Sequence, residues 1–316
     1  MSRLRGCVAA GLVAVLALAG CSTDGDDGPD GPDSKAGASP RSSEAASESP
    51  TATPRPDLRP DLRYVALGDS FTAAPGVGKQ VGPAGCLRTD ANYPHLVQER
   101  LGLELVDVSC SGATSADLTS PQAAAGAGVT AQLDALTPQT DLVTLSMGGN
   151  DGGLYASFVS LCADVQGDGA QGRGLCRDNP RFAPDALDEE MADLRRRTAA
   201  SVAAVQERAP QAQVVVVGYP QVVPVGESCH QLPMVDDDVA FARSVNRRLA
   251  GALKGGAKAA GVSYVDAWRL SEGHDACSED PWVAGLRPER PGFPVHPYAE
   301  LHVAIADAVA GLVADG

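Results

Sequence analysis

The sequence predicts an α/β fold, a three-layer α/β/α sandwich around a central, mostly parallel five-stranded sheet. From residue 62 onward, short apolar runs alternate with longer helical stretches, the pattern of a doubly wound sheet. The run Val214-Val215-Val216-Val217 lacks polar alternation, which suits a central strand covered on both faces.

Strands are predicted over 62–67, 103–109, 142–146, 212–219 and 262–265. Four helices separate or follow them. The first covers 92–101, with Pro94 tolerated in its first turn. The second, 184–208, is rich in Ala, Leu, Glu and Arg and stops just before Pro210. The third, 236–259, repeats apolar residues at helical spacing. The last spans 297–313, with Pro297 as its first residue. Together these fill one domain over 62–316, a length sufficient for a well-buried core. Gly68, Ser109 and Ser146 then fall at the carboxyl ends of strands, where such sheets build their sites. The long loops 80–91, 163–184 and 268–292 each carry at least one cysteine.

Residues 1–20 read as an export signal, with Arg3 and Arg5 followed by an apolar stretch from Val8 to Leu18. The segment closes on Leu18-Ala19-Gly20-Cys21, which resembles a bacterial lipobox and implies cleavage before Cys21 and acylation of its thiol. An ordinary signal peptide is the alternative. Residues 21–61 are dominated by Ser, Pro, Ala, Gly, Asp and Glu, a composition expected to stay disordered. As a tether from lipid to folded body it would span roughly 35 Å root-mean-square. The expected location is therefore the outer face of the cell membrane, or the medium.

Once Cys7 and Cys21 are set aside, Cys86, Cys110, Cys162, Cys176, Cys229 and Cys277 remain. An even number in an exported protein reads as three disulfides, with fifteen pairings open. We adopt sequential pairing: Cys86 with Cys110, Cys162 with Cys176, Cys229 with Cys277. Without a Cys-x-x-Cys pair and with 5 histidines, a zinc site is not expected. No cofactor is expected either, since no Gly-x-Gly-x-x-Gly fingerprint follows the first strand. The formal charge of −15 opposes a nucleic-acid partner. A monomer is expected.

Three predicted strand ends carry small polar residues: Gly68-Asp69-Ser70, Ser111-Gly112, and Gly148-Gly149-Asn150-Asp151. Near the C-terminus stands Pro294-Val295-His296-Pro297, loosely continued by Leu301-His302. In this order the four blocks resemble those of the SGNH, or GDSL, hydrolase superfamily. Secreted actinobacterial lipases, esterases and phospholipases with three disulfides are the nearest in kind. The resemblance runs from Tyr64 to Leu312 and implies a flavodoxin-like sandwich.

It also implies roles. Ser70 becomes the nucleophile and His296 its base, since a serine hydroxyl needs an imidazole to take its proton and return it to the leaving alcohol. The oxyanion hole comprises the N–H groups of Ser70 and Gly112 and the amide of Asn150. Asp69 and Asp151 are read as ordering the loops around these groups, and His302 as a helix residue that packs or faces solvent. One departure matters: the superfamily usually places an aspartate three residues before the histidine, and position 293 is Phe. The carbonyl of Phe293 is expected to orient the imidazole, giving a Ser–His dyad, with Asp275, Asp280 and Glu300 as alternative third members. Phe71, Leu154, Tyr155 and Phe158 could line an acyl channel or simply form core. The substrate implied is an acyl ester or phospholipid. A carbohydrate or cell-envelope O-acetylesterase and a non-catalytic surface-binding lipoprotein are the alternatives.

Overall fold

Five strands form one sheet: β1 (Arg63–Gly68), β2 (Glu104–Asp107), β3 (Leu142–Ser146), β4 (Gln213–Val217) and β5 (Ser263–Val265). Their order is β2-β1-β3-β4-β5, and all four pairings are parallel. This computed structural model describes residues 61–126, 128–163 and 175–314, all within one compact unit. The export signal, Cys21 and the tether up to residue 60 lie outside the described residues.

The expected sheet is therefore present and its strand ladder wholly parallel. In register, Tyr64 pairs with Leu105 on one side and Leu142 on the other. Because side chains alternate across a strand, β1 and β4 supply both faces. Tyr64, Ala66, Val215 and Val217 join one core cluster, and Val65, Leu67, Val214 and Val216 the other.

Helices α1 (Ser70–Ala73), α2 (Tyr93–Leu101), α3 (Leu154–Cys162), α4 (Pro184–Arg208), α5 (Asp236–Ala260), α6 (Ala267–Leu270) and α7 (Ala299–Ala314) complete the fold. The first core cluster buries Val97 and Leu101 of α2 against Leu301, Ile305 and Val309 of α7. The second gathers Val202 and Val205 of α4 beneath the opposite face. Local chemistry explains the limits of these helices. Asn92 caps α2, its Oδ1 accepting the His95 N–H at 3.2 Å. Pro184 opens α4, where its missing N–H leaves no helical bond unmade. Asp236, Asp237 and Asp238 sit in the first turn of α5, favourably placed against the positive end of the helix dipole. Among the described residues, no helix is long and apolar enough to cross a membrane.

Several expected boundaries move: β4 ends at Val217 and not at residue 219, and α3 forms where no helix is predicted. The helix predicted from Pro297 begins at Ala299, because residues 296–298 run extended beside 282–284. There Pro297 bridges Val283, the Ala284 N–H donates to the His296 carbonyl at 2.8 Å, and the Tyr298 N–H to the Trp282 carbonyl at 2.8 Å. β2 stops at Asp107, whose side chain accepts the Ser109 N–H at 2.9 Å and turns the chain.

Strand order 2-1-3-4-5 places a topological switch between β1 and β3, where ligand sites form outside the carboxyl ends. α7 closes one layer through the wholly buried Leu301. Leu301→Ala is expected to lower stability by about 2–5 kcal/mol, read as a lower urea midpoint with unchanged slope.

Candidate active site

β1 ends at Gly68, and Asp69 turns the chain into α1. Its Oδ1 accepts the Phe71 N–H at 2.9 Å, capping the helix whose first residue is Ser70. The loop after β2 is held by the Cys86–Cys110 disulfide and by the Ser111 N–H donating to the Cys86 carbonyl at 2.9 Å. It carries Gly112 at φ +78°, a backbone conformation that favours glycine. Neither Ser70 nor Gly112 gives its N–H to another described residue. After β3, the Asn150 amide donates to the Ala113 carbonyl at 3.0 Å, which uses one of its two hydrogens. Asp151 ties the same loops together. It accepts the Ser115 N–H at 2.7 Å and hydroxyl at 2.6 Å, and pairs with Arg197 at 2.9 Å.

His296 arrives from the other end of the chain. Its Nε2 lies 2.7 Å from Ser70 Oγ, and its Nδ1 lies 2.7 Å from the Pro294 carbonyl. A carbonyl can only accept, so the proton sits on Nδ1 and Nε2 is free to accept from the serine. The orienting carbonyl is thus that of Pro294 and not, as expected, that of Phe293. The Phe293 carbonyl instead accepts the backbone N–H of His296 at 3.2 Å. The one-residue difference follows from Val295, which sits at φ +62°. For a β-branched side chain this is a strained conformation, of a kind that concentrates at functional sites. Two bonds hold it: its N–H donates to the Gly285 carbonyl at 3.0 Å, and its carbonyl accepts the Tyr155 hydroxyl at 2.5 Å.

The alternative acids are engaged elsewhere. Asp275 accepts the Cys277 N–H at 3.0 Å, Asp280 the Trp282 indole N–H at 3.2 Å, and Glu300 pairs with Arg290 at 2.6 Å. Around the imidazole stand Phe71, Phe293 and Tyr155, with ring centroids at 4.9, 5.4 and 6.3 Å. This burial disfavours the charged ring and pushes the His296 pKa down to about 4, against the opposing bond to Pro294.

A buried serine and a neutral histidine thus meet at the mouth of the parallel sheet. A model of the GDSL-like lipase/acylhydrolase family matches residues 66–304. The chain belongs to this family. It is 40% identical over 245 residues to Lipase 2 of Streptomyces coelicolor, a match covering 75% of this chain and 80% of that one. Among solved structures, phospholipase A1 from Streptomyces albidoflavus NA297 superposes with a TM-score of 0.64 at 25% identity, over 78% of this chain and 99% of the other. The extracellular lipase of Streptomyces rimosus gives 0.60 at 25% identity, with the same coverage of each chain. This GDSL-family protein is accordingly an enzyme of the lipase and esterase class.

The remaining sequence candidates divide. Phe71, Leu154 and Phe158 are buried in the main core, whereas Tyr155 is half-buried and braces Val295. His302 is wholly buried in α7, where Nδ1 accepts the Tyr93 N–H at 3.2 Å and burial pushes its pKa down to about 3. It packs and does not reach the serine. The structure joins Cys162 to Cys176 and Cys229 to Cys277, as well as Cys86 to Cys110. Among the described residues, no cluster of His, Cys, Asp or Glu is arranged to hold a metal. Pro294 as the acceptor and Tyr155 as the brace of Val295, rather than as channel or core, escaped the sequence reading because a main-chain acceptor and a remote phenol contact leave no motif. NMR titration should show the His296 ring neutral to about pH 4; a midpoint near 6.5 would contradict the buried, carbonyl-bound ring.

Proposed function

We propose that this family member is an exported, lipid-anchored serine esterase that hydrolyses the carboxylic esters of acyl lipids, phospholipids among them, through an acyl-serine intermediate. The observation that carries this reading is the 2.7 Å contact between Ser70 Oγ and His296 Nε2. Export is supported by the residue 1–20 signal and by three disulfides, anchoring by the Cys21 lipobox. A lipid substrate is supported by the names of the relatives and by Phe293, an exposed aromatic beside the catalytic imidazole.

The chemistry needs no group beyond these residues. Ser70 Oγ adds to the ester carbonyl carbon while its proton passes to Nε2 of His296. The carbonyl oxygen becomes an oxyanion, stabilised by the N–H groups of Ser70 and Gly112 and the second amide hydrogen of Asn150. As the tetrahedral adduct collapses, the imidazolium gives that proton to the departing alkoxide. Water then attacks the acyl-serine, its proton going to Nε2, and collapse returns the proton to Ser70 as the acid leaves. Throughout, the Nδ1–H stays on the Pro294 carbonyl, which fixes the tautomer with a dipole in place of a carboxylate.

Ser70→Ala should reduce hydrolysis of nitrophenyl esters at least about 10³-fold. Asn150→Ala should cost roughly 10²–10³ in kcat while leaving the fold intact. A panel running from acetyl to long-chain esters, phospholipid and acetylated sugar reads the substrate class, and a clear preference for the acetylated sugar would overturn the lipid assignment. Because the free base is neutral until about pH 4, the acid limb of kcat/KM should also fall there; a limb centred near pH 6.5 counts against the dyad.

A further inference from the structure

We infer that Tyr219 is a positioning residue for this hydrolysis: its hydroxyl locks the turn bearing Ser70 to the turn bearing Asn150. In this way it sets the distance between the attacking oxygen and the oxyanion donors. The inference rests on the Ser70–His296 reading and adds to it a residue just beyond the fourth strand.

Tyr219 follows β4 by two residues and is almost fully buried. Its hydroxyl donates to Asp69 Oδ2 at 2.5 Å and accepts the Gly149 N–H at 2.9 Å. The other oxygen of Asp69 holds the Phe71 N–H at 2.9 Å. A continuous relay thus runs from Gly149 N–H through the phenol and the carboxylate to the first turn of α1. Its ends lie directly beside Asn150 and Ser70. β1 and β3 are adjacent strands, and this relay joins their outgoing turns at the switch point between them.

Two further contacts favour positioning over simple filling. A Cβ on Gly149 would come within 3.1 Å of the phenol carbon and oxygen, so the turn approaches this hydroxyl more closely than any other residue there would easily allow. The Tyr219 ring also meets Phe71 edge-on, with centroids 5.0 Å apart, and Phe71 lies 4.9 Å from the His296 ring. One side chain therefore touches the supports of nucleophile, base and oxyanion donor. Phenylalanine would fill the same volume but leave Gly149 N–H and Asp69 Oδ2 without their shared partner. Burial drives the Asp69 carboxyl up to about 7, and the Tyr219 hydrogen bond opposes that rise, which helps keep it an acceptor.

The test is Tyr219→Phe in the purified protein, with active sites counted by a fluorophosphonate probe and rates measured on a nitrophenyl ester. We expect kcat per active site to fall roughly tenfold to a hundredfold with KM within about twofold. In an Asn150→Ala background the same change should cost under about threefold, because the donor it positions is gone. A kcat within about twofold of the parent, a loss that appears mainly in KM, or a full multiplicative loss in the Asn150→Ala background would each overturn the inference. Should Tyr219→Phe not fold, Asp69→Asn serves in its place. It keeps an acceptor for Phe71 N–H but turns an N–H toward the phenol, and a parental kcat there would equally overturn the proposal. Ser70→Ala separates the two levels: parental activity in that variant defeats the serine mechanism itself, whereas its inactivity beside an unaffected Tyr219→Phe defeats only the role of Tyr219.

Discussion

The hydrogen bond between Ser70 and His296 joins side chains 226 positions apart, and much of the architecture serves to hold its two ends. One end is fixed by the sheet, since Ser70 follows the strand next to the switch point and Asp69 caps its turn. The other end has no strand of its own. It hangs on the 282–285 segment through the Ala284–His296, Gly285–Val295 and Trp282–Tyr298 backbone bonds, with Tyr155 gripping the strained Val295. The positive φ at Val295 is what turns the Pro294 carbonyl toward Nδ1 while Nε2 faces the serine.

An imidazole supported by a carbonyl behaves differently from one facing a carboxylate. Little but burial sets its affinity for protons, and burial keeps it neutral. This has a stability consequence of definite sign. The folded pKa of His296 lies below the ordinary 6.5, so its contribution erodes as pH falls from about 6.5 toward about 4, where the unfolded chain takes a proton the native one refuses. Asp69 acts oppositely. Its folded pKa is raised from 3.8 to about 7, so its contribution is full below about 3.8 and is lost as pH rises through about 7. His296 and Asp69, both beside Ser70, therefore oppose each other between those limits.

The disulfides are placed where the sheet cannot help. Cys86–Cys110 fastens the loop that presents Gly112, and Cys229–Cys277 ties the loop after β4 to the one leading toward 282–285. Cys162–Cys176 connects the end of α3 to the turn preceding α4. Cross-links of this kind typically contribute about 2–4 kcal/mol, mainly by restricting the unfolded chain. The loops after β2 and β4 are long and short of regular structure, so such restraint matters most there.

What the sequence determined by itself was whatever local patterning encodes. The four-valine run of β4, the limits of α4 at Pro184 and Arg208, and the short helix ending at Leu101 all follow from side-chain periodicity or from groups only a few residues apart. The four blocks containing Ser70, Gly112, Asn150 and His296 were legible through their order and their resemblance to a known family, the first three also as small polar residues at predicted strand ends. Other features were decided only when distant segments met. The choice of Pro294 over Phe293 depended on one backbone angle, held by bonds from Gly285 and Tyr155. The late start of α7 depended on Pro297 bridging Val283. The link from Tyr219 to Asp69 spans 150 positions and uses a phenol oxygen that no spacing rule singles out. Main-chain carbonyls are identical at every residue, and long-range hydrogen bonds have no period, so only the folded chain could select among them.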